Sequence, residues 1–345
     1  MSTTQLSSRS ALNIVMGAMT FGKEGAEGAR VHSIDTVNEI LDIFQKHGHD
    51  EAPLFIFDGT CEEYLGQIDT KGRGLKIETK LYPAKDGVAQ SGPITHSPEA
   101  SNCARTSFST NNSQLEMWYL HGPDRTTPFE DTLRGVNDLY KEGKFKRFGI
   151  SNYMSWEVAE IVGICKANGY IQPTAYQGRY NAIYRTPEPE LFPCLRKFGI
   201  SFYEYNPPRA QKFKGRAVGG GFFTGRYKSI NDAPEAGSRF DPSKGQGQSY
   251  RDRYWNEAYF KAMETIQAAA DRHSLTAAEI ALRWISHHSL MSREHGDSVL
   301  IGASSTKHIE QNLLDLEKGP LPEDVVKALD EAWDSVKSHA VVYWH

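Results

Sequence analysis

The sequence predicts an α/β protein, a closed (β/α)8 TIM barrel with long loops at its C-terminal face and a C-terminal helix plus tail. Three observations lead there. Short apolar runs alternate with longer amphipathic stretches about eight times, the pattern of a parallel sheet joined by right-handed helical crossovers. About eight such units in roughly 300 residues suit a closed barrel better than an open doubly wound sheet. An open sheet would also need a GxGxxG phosphate loop after its first strand, and none stands there; Gly219–Gly221 with Gly225 has the wrong spacing. One domain over residues 1–345 is the expectation.

The elements follow in order. Asn13–Met16 is the first strand. The next helix has Asp35 as N-cap, carries Val37, Ile40, Leu41 and Phe44 on one face, and stops at Gly48. Leu54–Phe57, Ile77–Lys80 and Leu115–Leu120 are the second, third and fourth strands. The helix Phe129–Glu142 buries Leu133, Val136 and Tyr140, and Phe148–Ser151 is the fifth strand. Ser155 caps a helix carrying Val158, Ile161, Val162 and Cys165, ended by Gly169. Thr174–Gln177, the helix Pro189–Lys197 and the strand Ile200–Tyr205 come next. Two helices, Glu257–Arg272 and Thr276–His287, precede the eighth strand, Ser298–Ile301. The helix Lys307–Leu316 groups Ile309, Leu313 and Leu316; the final helix, Pro322–Val336, aligns Val326, Leu329, Trp333 and Val336. Residues 206–221 and 228–252, polar and Gly-rich, read as loops. The apolar tail Val341–His345 either folds over a barrel mouth or frays.

Composition narrows the class. Counting glycine and leaving out tyrosine, the apolar share is roughly 43%, a globular value, so wholesale disorder is excluded. No run of 18 apolar residues suggests a membrane span, and the start lacks the charged and apolar regions of a signal peptide, so a cytoplasmic protein is expected. A net charge of −4 argues against a nucleic-acid binder, and the basic stretch Lys141–Arg147 reads as a solvated helix end. Cys61, Cys103, Cys165 and Cys194 have neither CxxC spacing nor a framework pattern, so no metal is expected.

Barrel active sites lie where the strands end. Polar residues recur there: Lys80, His121, Ser151, Asn152, Gln177, Tyr205 and Asn206. Gly302, Ser304 and Ser305 follow the last strand and open a helix, where free N–H groups and the dipole suit a phosphate. Singly each is an ordinary turn or cap residue; together they mark one face.

Several segments resemble the aldo-keto reductases: GISNY at 149–153, YQGRYN at 176–181, FFTGRYK at 222–228 and IGASSTKHIEQNL at 301–313. EEYLG around Tyr64, GLKIETKLYP at 74–83 and YLHGPDR at 119–125 resemble the aflatoxin-aldehyde reductase branch and its fungal relatives, from about Asn13 to Trp344. The resemblance implies an NADPH-dependent carbonyl reductase, acting on a small-molecule carbonyl substrate, commonly dimeric, and a tailoring enzyme of secondary metabolism in the fungal setting. It implies an Asp, Tyr, Lys and His group, of which Lys80 and His121 are the Lys and His. It further implies that Ser151, Asn152 and Gln177 hold the cofactor carboxamide and that Tyr205, with Asn206, meets the nicotinamide. Gly220, Gly221, Arg226 and Arg239 would approach the phosphates. Ser304, Ser305, Gln311 and Asn312 would hold the adenosine end. His121, Tyr250, Arg253 and His345 would border the substrate.

Two segments depart from that pattern. Aligned from Asp50 and Glu51, Pro53 stands at the family's Asp and Asp58 at its Tyr. Aligned from the strand, Asp58 is the carboxylate and Tyr64, six residues on, is either a helix-packing residue or the proton donor. Pro208–Val218 is an insertion in the loop that closes over the pyrophosphate. Two readings therefore stand, an active reductase and a catalytically weak NADPH-binding protein. A barrel glycosidase would need facing carboxylates at the strand ends, which offer mainly amides, Lys and His.

Overall fold

A computed structural model describes residues 10–26, 29–53, 60–83, 96, 114–205, 227, 229–234, 240–243 and 245–345. Eight parallel strands close into a barrel in sequence order: β1 (Asn13–Gly17), β2 (Glu51–Pro53), β3 (Lys76–Leu81), β4 (Leu115–Leu120), β5 (Phe145–Ser151), β6 (Pro173–Arg179), β7 (Ser201–Tyr205) and β8 (Ser298–Gly302). The seam is β1 on β8, with Asn13 opposite Ser298 and Gly17 opposite Gly302. The helices are α1 (Ile34–Lys46), α2 (Thr60–Gly66), α3 (Phe129–Lys141), α4 (Ser155–Asn168), α5 (Leu191–Phe198), α6 (Gly245–Tyr254), α7 (Glu257–Arg272), α8 (Ala277–His287), α9 (Thr306–Leu316) and α10 (Glu323–Val336). The expected barrel and the C-terminal helix with its tail are both present.

Two apolar cores form because strand side chains alternate between faces. The larger lies between strands and helices; α1 contributes Val37, Ile40, Leu41 and Phe44, each worth about 1.5–3 kcal/mol when buried. The smaller fills the barrel with Val15, Met117, Tyr119, Ala175, Tyr203 and Leu300. Gly149 makes room for it: a Cβ there would sit 2.3 Å from the Tyr119 ring. At the N-terminal end Asp297, fully buried, accepts from Phe202 N at 2.7 Å, Ser292 N at 2.9 Å and Arg196 Nη1 at 3.0 Å, tying β7 to the approach of β8.

Several local expectations need correction. Ser33, not Asp35, caps α1, accepting from Thr36 N; Asp35 sits in the first turn, where its charge meets the dipole. Ser155 is the first residue of α4, and Met154 N donates to Glu157 Oε2 at 2.7 Å. In α3 Leu139 is buried and Tyr140 is 41% exposed, lying over Phe145. Val325 and Ala332 share the buried stripe of α10 with Leu329 and Val336, while Val326 and Trp333 are partly buried at its edge. The first half of Lys141–Arg147 is the expected solvated helix end, since α3 stops at Lys141 and residues 141–143 are exposed; the second half is not, because Phe145–Arg147 opens β5 and Arg147 reaches into the barrel to donate to the Tyr203 hydroxyl. Within 228–252, expected as loop, α6 begins at Gly245. The second strand is observed at Glu51–Pro53; Leu54–Phe57 lies outside the described residues.

Candidate active site

The C-terminal ends of the strands meet at one mouth. Lys80 points inward from β3 and is 4% exposed. Its ammonium donates to Gln177 Oε1 on β6 and lies 5.8 Å from the centre of the Tyr119 ring. Burial, opposed only partly by Glu78, lowers its pKa to about 8. It is therefore a cation at neutral pH, and a far stronger acid than an ordinary lysine. His121 follows β4, with its N–H on the Leu81 carbonyl at 2.8 Å. Burial, then Lys80 and His345, hold its imidazole well below the usual range, so the ring is neutral at pH 7.

Asn152 links three of these elements. Its Nδ2 donates to the His121 carbonyl at 2.8 Å and to Ser151 Oγ at 3.0 Å, and its Oδ1 accepts from the Tyr205 hydroxyl at 3.3 Å. Its φ is +66°, a left-handed conformation that asparagine tolerates better than most residues. Ser151 is opposite Gln177 across β5 and β6, and Arg179 is opposite Tyr205 across β6 and β7. The Gln177 amide nitrogen is buried and has no hydrogen-bond partner among the described residues.

The tail closes over this mouth, so of the two sequence readings the folded one holds. His345 N donates to the Asn152 carbonyl at 3.4 Å, and His345 Nε2 meets the Tyr82 hydroxyl at 3.3 Å. Tyr82 lies edge-on to His121 with ring centres 5.2 Å apart. Arg125 Nη1 donates to His345 O, while the Tyr184 hydroxyl and Arg179 Nη2 both donate to the Val342 carbonyl. The Tyr343 hydroxyl donates to Glu190 and accepts from Ser155 N. Partial burial, then Arg179, Arg253 and Arg125, push the His345 imidazole down to about 4. Tyr82, Arg125, Arg179 and Tyr184 were not among the sequence candidates. Tyr82 and Arg179 fall within two residues of Lys80 and Gln177, the one signal that could have found them.

At the other side of the mouth, Ser305 caps α9, accepting from His308 N, and Ser304 Oγ pairs with His308 Nδ1 at 2.7 Å. Gln311 donates to Asp315 at 3.0 Å and Asn312 to the Gly302 carbonyl at 3.5 Å. The Tyr64 hydroxyl donates to the His32 carbonyl at 3.1 Å, and its ring packs partly buried against the outer core. Asp58, Asn206, Gly220, Gly221, Arg226 and Arg239 lie outside the described residues, as does the insertion Pro208–Val218; Tyr250 is on α6, its side chain likewise undescribed.

A closed parallel barrel that gathers a buried ammonium, a neutral imidazole and convergent amides at one mouth has the layout of a barrel enzyme's active site. Residues 13–334 match the Aldo/keto reductase family, and the chain belongs to it, an oxidoreductase family that generally uses nicotinamide cofactors. An aldo-keto reductase of Pseudocercospora fijiensis is 44% identical over 310 residues, covering 88% of this chain and 100% of that one. The aldo-keto reductase pigE of Monascus ruber is 40% identical, covering 99% of each chain. Aflatoxin B1 aldehyde reductase member 2 of Mus musculus is 38% identical, covering 96% of this chain and 87% of its own.

Proposed function

We propose that this chain reduces an aldehyde or ketone to the alcohol with NADPH, as a tailoring step in secondary metabolism. The observation that carries the reading is the convergence of Lys80, His121, Asn152 and Gln177 on one mouth, with Lys80 lowered to about 8. The nicotinamide, when bound, supplies hydride to the carbonyl carbon. The chain's own residues do the rest. Gln177, whose buried amide nitrogen has no partner among the described residues, and Ser151 and Asn152 suit a carboxamide. Tyr205 offers a ring face at the end of β7, where Asn206 follows. Ser304, Ser305, Gln311 and Asn312 take the adenosine end and its 2′-phosphate, because the start of α9 favours an anion. Gly220, Gly221, Arg226 and Arg239 complete the phosphate path.

The neutral His121 ring orients the carbonyl oxygen without adding a competing cation. Lys80 is the described acid suited to protonate that oxygen as negative charge develops on it, and its positive charge stabilises the same atom. Asp58 and Tyr64 retain the roles the resemblance suggests for them, carboxylate partner and hydroxyl donor, as proposals. Tyr250, Arg253 and His345 border the substrate. The guanidinium groups of Arg125, Arg179 and Arg253 around His345 suit a carboxylated or polyaromatic carbonyl compound. We place the enzyme in the cytoplasm as a homodimer.

One observation favours the second reading, a catalytically weak NADPH-binding protein: the Tyr64 hydroxyl is engaged by the His32 carbonyl. NADPH oxidation against a panel of aldehydes, beside NADPH binding followed by fluorescence, separates the two. Turnover supports the reductase, binding without turnover supports the second reading, and neither sinks both.

A further inference from the structure

The tail is fastened to the turn that carries Asn152 at both ends of that turn. After β5 the chain passes through residues 152–154 into α4, and Asn152 opens the turn in its left-handed conformation. His345 N donates to the Asn152 carbonyl at 3.4 Å, and the Tyr343 hydroxyl accepts from Ser155 N, the first N–H of the helix, at 3.0 Å. The third attachment is ionic. Arg125, on the loop after β4, forks onto Glu157 through Nε at 2.8 Å and Nη2 at 3.2 Å, and its Nη1 donates to His345 O at 3.0 Å. Glu157 is fully buried in the first turn of α4, where it also accepts from Met154 N at 2.7 Å. One guanidinium thus joins the tail to the group that closes the Asn152 turn. Arg125 is 42% exposed, and an ion pair between two such surface groups would contribute little. Its partner is desolvated, however, so the fork is held rigid, and a side chain already fixed by one partner binds a second at small entropic cost.

We propose that Arg125 is a positioning residue, an ionic clasp that makes docking of the tail and binding of the cofactor reinforce one another through the Asn152 turn. This rests on the NADPH reading above, in which the Asn152 amide meets the carboxamide. A left-handed residue other than glycine persists only where its surroundings hold it there. At Asn152 those surroundings include the tail: with Val341–His345 undocked, the Asn152 carbonyl and Ser155 N lose their partners and the guanidinium loses its hold on the tail. The amide that serves the cofactor is then less firmly placed, although the Tyr176 hydroxyl still braces the turn at the Tyr153 carbonyl, 2.8 Å away. Linkage makes the effect reciprocal: a cofactor that fixes Asn152 holds the tail down by the same factor that the docked tail favours the cofactor. The carbonyl compound therefore meets a closed pocket chiefly in the loaded protein.

Two readouts test this in the full chain, and neither needs turnover. Limited chymotrypsin digestion with mass spectrometry follows cleavage of the tail at Tyr343 and Trp344, and fluorescence follows NADPH binding. In wild type, saturating NADPH should slow tail cleavage about tenfold. Arg125→Met should weaken NADPH binding by a similar factor and remove most of that protection. Because this variant leaves Glu157 buried without its partner, Arg125→Met with Glu157→Gln is the control that keeps the fold: it removes the buried charge, yet should still lack the protection. Combining Arg125→Met with Tyr343→Phe should weaken NADPH binding by less than the product of the two single effects, since both act through the one docked state. Wild type that binds NADPH with no change in tail cleavage overturns the coupling. Full protection in the Arg125→Met, Glu157→Gln variant overturns the role of the clasp. Wild type that takes up no NADPH overturns the cofactor reading and the coupling with it, a result the binding curve itself tells apart from the other two.

Discussion

Replacing Lys80 by Met should separate stability from activity. The ammonium is 4% exposed and held at about 8, against an ordinary 10.5. At pH 7 the charged form is thus disfavoured in the fold by roughly 3 kcal/mol relative to the unfolded chain, at about 1.4 kcal/mol per unit. Met, similar in length and apolar, removes that penalty. Against it stands Gln177, whose Oε1 loses its Lys80 donor; a buried orphaned acceptor costs roughly 1–3 kcal/mol. The net change is between about 0 and +2 kcal/mol. A chain of this size gains about 2 °C or less per kcal/mol, so thermal unfolding should show an equal or slightly higher Tm. Turnover should fall by on the order of 10²–10⁴. The pH dependence gives a second check. Between the folded value of about 8 and the unfolded 10.5, the unfolded chain binds more protons, so wild type gains stability as pH rises and the two melting temperatures converge. A variant that melts far below wild type at pH 7 would refute the desolvation argument, and wild-type turnover would refute the proton role. Adding Gln177→Leu removes the orphaned acceptor and should raise Tm above that of the single variant.

Asn152→Ala, at φ +66° and stripped of its bonds to His121 and Ser151, should lose roughly 1–3 kcal/mol and raise the KM for NADPH; Asn152→Gly relieves the backbone alone, so its smaller Tm loss isolates the hydrogen bonds. Asp297→Ala leaves Arg196 and two backbone N–H groups without their buried acceptor and should cost about 3–5 kcal/mol in urea unfolding. Gly149→Ala drives a Cβ into the Tyr119 ring and should cost about 1–3 kcal/mol by the same assay, largely restored by adding Tyr119→Leu. Tyr343→Phe takes the donor from Glu190 and the acceptor from Ser155 N, so limited proteolysis should cut the tail faster and the substrate KM should rise with kcat little changed. With His345 held at about 4, tail docking should weaken as pH falls towards that value, because protonation sets a cation beside Arg125, Arg179 and Arg253.

The alternation of short apolar runs with amphipathic stretches was enough to determine the barrel, the order of its strands and the face on which Lys80, His121, Ser151, Asn152, Gln177 and Tyr205 stand. Burial of one face repeats every two residues in a strand and every turn in a helix, so local spacing records it; β4 was legible to the residue, Leu115–Leu120. Spacing failed where the signal was local but weak. The Gly-rich, polar α6 has almost no apolar stripe, and the basic run before Arg147 looks solvated although β5 carries that guanidinium into the barrel. Partnerships were beyond sequence altogether. Lys80 and Gln177 are 97 positions apart and the Tyr343 hydroxyl and Glu190 153 apart. Only closure of the sheet and docking of the tail decide that an ammonium meets an amide, that the Tyr64 hydroxyl is engaged by a carbonyl, and that Glu78, an ordinary polar position in a strand, lies fully buried inside the barrel. A hydrogen bond or a shifted pKa depends on which groups are brought within a few ångströms, and chain spacing does not encode that distance.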